Sequence, residues 1–151
     1  SYFGIRQKNY AFYAETGMEF EPKQECETAG MVLYQNHENH LRMEIRKRAD
    51  ENYFVVTARI HGEERILTEK PAGERQNNSL KYEMHCDRQK ARIWLFRDGR
   101  ESLIAEDISL LPYTTEEAGG FVGCTIGMYA SANGQDSSNY ADFAWFVQNA
   151  I

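Results

Sequence analysis

Apolar and polar residues alternate with a period of two along most of this chain. Between His40 and Arg48, Leu41, Met43 and Ile45 fall on one side, and Arg42, Glu44 and Arg46 on the other. Leu80, Tyr82, Met84 and Cys86 alternate in the same way with Lys81, Glu83 and His85. Successive side chains of a strand point to opposite faces, so this pattern predicts half-buried strands. Tyr53–Ile60 and Ala91–Phe96 are denser in apolar and β-branched residues and predict central strands covered on both faces. No stretch keeps a helical period. Ile108–Tyr113 predicts at most one short helical turn, stopped by Pro112.

Turn signals punctuate the alternation at short intervals. Asp50-Glu51-Asn52, His61-Gly62 and Asp98-Gly99 each separate two strand patterns. Asp-Gly tolerates the positive φ of a type I′ hairpin turn. Pro71-Ala72-Gly73 opens a longer polar loop that runs to Ser79. About ten strands with hairpin-length connections predict an all-β sandwich or barrel. The 151 residues suit a single domain, and a domain of this size buries roughly 70% of its unfolded surface. The loops at Gly119-Gly120-Phe121 and Ser131–Asn139 are the expected functional loops, since a rigid scaffold presents its binding residues there.

Composition narrows the partners. Nine Tyr, eight Phe and two Trp suit strands, and most of them are expected in the core or at strand ends. A net charge of −6 argues against nucleic acid, which needs a basic stripe. The basic run Arg46-Lys47-Arg48 stands beside Asp50 and Glu51 and reads as a solvated hairpin end. No run of apolar residues is long enough to span a membrane. The three cysteines, Cys26, Cys86 and Cys124, are widely spaced and odd in number. They predict neither a disulfide framework nor a metal cluster, and they suit a reducing bacterial cytoplasm. No signal peptide is visible, and the chain begins at Ser1 without Met, as an excised piece of a longer protein would.

Three stretches, taken in order, carry a resemblance. The first is Phe3-Gly4-Ile5-Arg6-Gln7, followed by Met18-Glu19-Phe20-Glu21-Pro22. The second is Ala29-Gly30-Met31-Val32-Leu33-Tyr34-Gln35-Asn36. The third runs from Gly120-Phe121-Val122-Gly123 through Ile126-Gly127-Met128-Tyr129-Ala130-Ser131 and Asn133-Gly134 to Ala141-Asp142-Phe143-Ala144-Trp145-Phe146. This order resembles the C-terminal concanavalin A-like sandwich of glycoside hydrolase family 43, the β-xylosidases and α-L-arabinofuranosidases. The resemblance implies a two-sheet jelly-roll sandwich over residues 1–151. It implies an accessory, non-catalytic domain that packs on an N-terminal five-bladed propeller and helps close its pocket around xylo-oligosaccharides or arabinosides. The catalytic carboxylates would lie in the propeller, which would invert the anomeric carbon.

The resemblance also implies site residues. Phe121, behind Gly120, matches an aromatic residue that this sandwich presents to the propeller's pocket; the alternative is a core position at the start of a strand. Asn133 falls in the polar loop that follows. A structural calcium near the chain ends would draw on Asp142 with Glu19 or Glu21, although Ala144 stands where the family usually has a second aspartate. The alternative for Asp142 is a nearby cation or a cap.

The remaining constellations favour plain readings. Glu63-Glu64 and Glu116-Glu117 lie in solvent-facing stretches rather than flanking a scissile bond. His37-x-x-His40 reads as a polar hairpin rather than a zinc site. His85 and Cys86 point to opposite faces, and no Gly-x-Ser-x-Gly elbow occurs. Trp145 alternates with Phe143 and Val147 and is expected in the core. Trp94 shares a face with Arg92 and Phe96, and faces either the second sheet or an absent partner. An exposed aromatic face there would favour a rival function, an independent carbohydrate-binding module. A third possibility, a lectin-fold glucanase, lacks its Glu-x-Asp-x-x-Glu strand.

Overall fold

The computed structural model describes residues 2–6, 12–20, 22–23, 27–73, 79–87, 90–110, 113, 125–131 and 142–150. Within them the strands are β1 (Tyr2–Arg6), β2 (Phe12–Glu19), β3 (Thr28–Asn36), β4 (Asn39–Arg48), β5 (Glu51–Ile60) and β6 (Glu63–Pro71), then β7 (Ser79–Asp87), β8 (Lys90–Arg97), β9 (Arg100–Ser109), β10 (Thr125–Ser131) and β11 (Asp142–Ala150). They form a six-stranded sheet in the order β1-β10-β3-β4-β5-β6 and a five-stranded sheet in the order β11-β2-β7-β8-β9. Each strand pair is antiparallel. The predicted two-sheet sandwich is therefore the observed architecture.

The alternating residues supply the core. Leu41, Met43 and Ile45 of β4 are fully buried, and so are Tyr82 and Met84 of β7 and Ile93 of β8. Burying one such side chain contributes roughly 1.5–3 kcal/mol. β5 is covered on both faces from Phe54 to Ala58, as expected of a central strand. β8 is not. Ala91, Ile93 and Leu95 are buried, whereas Arg92 is exposed and Trp94 and Phe96 are half-buried, because nothing in the described chain covers that side.

Two of the three predicted hairpin turns follow the expected chemistry, while the turn expected at Asp50-Glu51-Asn52 falls at Ala49-Asp50, because Glu51 and Asn52 already pair in β5. Asp98 and Gly99 both take positive φ, at 48° and 72°, as do His61 and Gly62 at 52° and 81°. These are the mirror-image turn angles that match strand twist. Of the expected turn at Ile108–Tyr113, Ile108 and Ser109 still belong to β9, and a short helical turn shows only at its end, at Tyr113. There the Tyr113 amide donates to the Leu110 carbonyl at 3.0 Å.

Candidate functional site

The outer face of the six-stranded sheet carries a buried carboxylate. The register sets Tyr129, Gly30, Glu44, Val55 and Glu69 in one row across five strands. Gly30 has no side chain, so the Tyr129 phenol reaches past it and donates to the Glu44 carboxylate. Glu44 is only 2% exposed. On its own strand it lies between Arg42 (Nε to Oε2 3.7 Å) and Arg46 (Nη1 to Oε1 3.5 Å). Burial and the adjoining Glu44 charge push the Tyr129 phenol well above its ordinary range, so it remains a hydroxyl donor.

A second row continues this network. Arg42 Nη1 donates to Glu64 at 2.9 Å, and Arg59 Nη1 lies 3.5 Å from the same oxygen. Despite the cost of partial burial, hydrogen bonds from Arg42 and charge from both arginines hold the Glu64 carboxyl below its ordinary value. The His40 ring stacks on Tyr34 with centroids 5.8 Å apart. Its Nε2 lies 3.1 Å from Arg42 Nη1, an N–H donor, so Nε2 accepts and the ring is neutral. Burial, then the Arg42 charge, lowers the His40 pKa. Thus Glu64, expected as a solvated turn residue, pairs with two arginines.

The outer face of the five-stranded sheet has a different character. One row holds Glu15, Glu83, Trp94 and Leu103; the next holds Gly17, Lys81 and Phe96. Trp94 therefore faces away from the core, which resolves the alternative left open by its pattern. Glu83 accepts from Lys81 at 2.9 Å and lies 3.1 Å from His85 Nε2. Its burial would raise the carboxyl pKa, but these bonds outweigh it and the pKa falls. The Lys81 ammonium also sits 4.1 Å from the Phe96 ring centroid.

At the rim, the edge strands β6 and β9 border a cleft of about 550 Å³ lined by Ile60, Leu67, Leu103, Ile104, Ile108 and Tyr113 among others. The Thr68 hydroxyl bridges the two edges by donating to the Ile104 carbonyl at 2.8 Å. Leu67 and Leu103 are each 39% exposed.

Residues 1–148 match the family of beta xylosidase C-terminal concanavalin A-like domains. The chain belongs to this family. It is 45% identical over 152 residues to a xylosidase/arabinosidase of Butyrivibrio fibrisolvens, covering all of this chain and 29% of that protein. It is 30% identical to a non-reducing end alpha-L-arabinofuranosidase of Bacteroides ovatus, covering 97% of this chain and 27% of that one. The solved structure of the Bacteroides ovatus xyloglucan PUL GH43B superposes with a TM-score of 0.88 at 26% identity, over 100% of this chain and 29% of the other. The chain thus spans under a third of each of these relatives, and the expected concanavalin A-like fold is the family's fold.

Within this family fold the expected site residues separate. Trp94 is placed as above. Phe121, Gly120, Asn133 and Glu21 lie outside the described residues, as do Cys26, Cys124 and Glu116-Glu117. Asp142 opens β11 directly opposite Glu19 of β2. A register shift between Phe143 and Trp145 breaks the expected common face: Phe143 pairs with core Met18, whereas Trp145 and Val147 pair with Gly17 and Glu15. The side chain of Trp145 lies outside the described ones. His37 and His40 flank the hairpin predicted for them, and both His40 ring nitrogens already face Asn36 and Arg42. Among the described residues no three His, Cys, Asp or Glu side chains are grouped to hold a metal ion. Cys86 is buried in the core, as expected.

The sequence marked Glu44 and Tyr82 only as strand-face positions and Tyr129 only as part of a family motif, with no sign that they meet. Arg42-x-Glu44-x-Arg46 was a usable signal, because a carboxylate between two arginines on one strand face is pre-paired. Its partner Tyr129, 85 residues away, carried no local sign.

Proposed function

We propose that this chain is the accessory, non-catalytic sandwich of a family 43-type glycoside hydrolase acting on xylo-oligosaccharides or arabinosides, packed against a catalytic domain. The observation that carries this reading is its span: it aligns end to end with under a third of a xylosidase/arabinosidase. Two features support it. Two of the buried carboxylates, Glu44 and Glu83, lie on outer faces of opposite sheets, each beside cations. They cannot flank one glycosidic bond as an acid–base pair must. Leu67 and Leu103 leave apolar surface exposed along two edge strands, as a docking face does.

Pocket closure belongs to the same proposal. Tyr113 lies in the rim cleft near Ile60, and Thr125 opens β10 opposite Tyr34. The part given to Phe121 in that closure is carried over from the family resemblance alone. The test is Phe121→Ala in the full-length enzyme, assayed on aryl xyloside and arabinoside. We expect kcat/KM to fall at least about tenfold, or ~1.4 kcal/mol of transition-state stabilisation, with melting unchanged. Unchanged kcat and KM would reject pocket closure. Turnover by the 151-residue chain alone would reject the accessory role.

A calcium ion near the chain ends is also proposed. Asp142 and Glu19 stand opposite each other in register. Like charges at directly opposed positions disfavour strand pairing, and a divalent cation held by both would offset that cost.

A further inference from the structure

We propose that a second cavity, on the outer face of the six-stranded sheet, binds one neutral sugar residue of an oligosaccharide. The cavity measures about 290 Å³ and is lined by Arg46, Arg48, Tyr53, Val55, Ile66 and Glu69, with Lys47 at its edge. That is close to the lower end of ligand-pocket volumes, about 300 Å³, and suits a single ring.

Its lining has the two kinds of surface a sugar presents. Val55 is buried beneath it, Ile66 is 51% exposed, and the Tyr53 ring stands beside them. These receive the C–H face of a ring. Arg46 and Arg48 donate, and the Glu69 carboxylate accepts, so hydroxyls find partners of both kinds. Each arginine spends only part of its fork inside the protein. Arg48 pairs with Glu69, and Arg46 reaches Glu44 at 3.5 Å.

Charge decides between a neutral ligand and an anion. Arg48 is paired with Glu69, Arg46 shares Glu44 with Arg42, and Lys47 turns its ammonium to the Lys23 carbonyl oxygen at 3.3 Å. Each cation of the lining thus already has a partner within the protein, which weakens its pull on an anion. The site is also pre-organised. Arg48 lies 4.8 Å from the Tyr53 ring centroid, and Arg46 is anchored by a carboxylate that Tyr129 and Arg42 hold in place. Side chains fixed beforehand lose less entropy on binding.

The choice of a pentose probe rests on the glycosidase reading; the cavity does not. The test is titration of the isotopically labelled 151-residue chain with xylotriose and, separately, arabinotriose, followed by amide shifts. Saturable shifts at Arg46–Arg48, Tyr53–Val55 and Ile66–Glu69 are expected for at least one sugar. Tyr53→Ala should weaken them about tenfold, the scale of one lost aromatic contact, and Glu69→Gln should weaken them too. Leu103→Ala, on the other sheet, should change nothing. A folded spectrum with no saturable shift at these residues overturns the proposal, as do shifts centred on Trp94 or equal shifts with sodium acetate. If the chain binds neither sugar while the full-length enzyme cleaves arabinosides, this inference fails and the functional reading stands. If it binds sugar but the full-length protein hydrolyses no glycoside, the reverse holds.

Discussion

The phenol of Tyr82 crosses the core and donates to the backbone carbonyl of Glu44 at 2.6 Å. Tyr82 belongs to the five-stranded sheet and Glu44 to the six-stranded one, so this bond joins the two layers at the strand that bears the buried carboxylate. Its environment is dry, since Tyr82 is fully buried. Tyr82→Phe keeps the ring and removes the donor. It should cost about 1–2 kcal/mol in urea unfolding, the range for losing a buried hydrogen bond.

Glu44 itself should matter more. Glu44→Gln removes the charge shared by Arg42 and Arg46 and leaves two cations facing each other across a buried position. Breaking a buried ion pair from one side costs about 3–5 kcal/mol, and the lower end applies because Arg42 retains Glu64. The Tyr129 phenol loses its charged acceptor in the same variant. Its ultraviolet titration should therefore move back toward the ordinary tyrosine range, a change that nonspecific loosening alone would spread over all nine tyrosines.

Gly30 lies tight against the backbone of β4. A Cβ built there would overlap the Met43 carbonyl oxygen and come within 2.7 Å of the Glu44 Cα. Both are backbone atoms of β4 and cannot rotate away. Gly30→Ala should therefore destabilise by about 3 kcal/mol, the upper range for overpacking. A melting curve within a degree of the parent's would show that β3 and β4 separate freely.

What could be read from the sequence was whatever depends on neighbours along the chain. Leu41, Met43 and Ile45 had to share a face, and Asp98-Gly99 had to turn, because period and φ are local properties. Trp94 could be assigned a face but not which face, since that depends on the other sheet. The register shift between Phe143 and Trp145 was likewise unreadable, since nothing in the string marks it. Glu44 looked solvated because nothing near it announces Tyr129, which arrives only when β10 joins β3. The roles given to Phe121 and Asn133 came from resemblance, which needs no folded neighbours.

Acid should weaken the fold in two stages. His40 is held below its ordinary 6.5, mainly by burial and then by Arg42, with Arg59 adding to this and Asn36 and Glu64 opposing it. The unfolded chain takes up that proton near pH 6.5 and the folded chain only at lower pH. The unfolded state is thus the more protonated in between, and stability falls with pH across that window. The Glu64 and Glu83 carboxyls lie below their ordinary 4.5. Their contribution is complete above that value and is lost as pH drops through the folded pKa. Denaturation at a series of pH values should show both limbs. His40→Asn should flatten the limb that begins as pH falls through about 6.5 and spare the more acidic one.

Asp142 and Glu19 give the calcium proposal a measurable consequence. Calcium takes six to eight oxygens, and two opposed acidic positions supply only the start of that shell; Ala144 adds nothing to it. Binding to the folded chain alone would raise stability by about 2.7 kcal/mol at a hundredfold excess over Kd. The melting temperature should therefore rise with calcium relative to chelator. Asp142→Asn should lose that rise. Equal melting with calcium and with chelator rejects the ion.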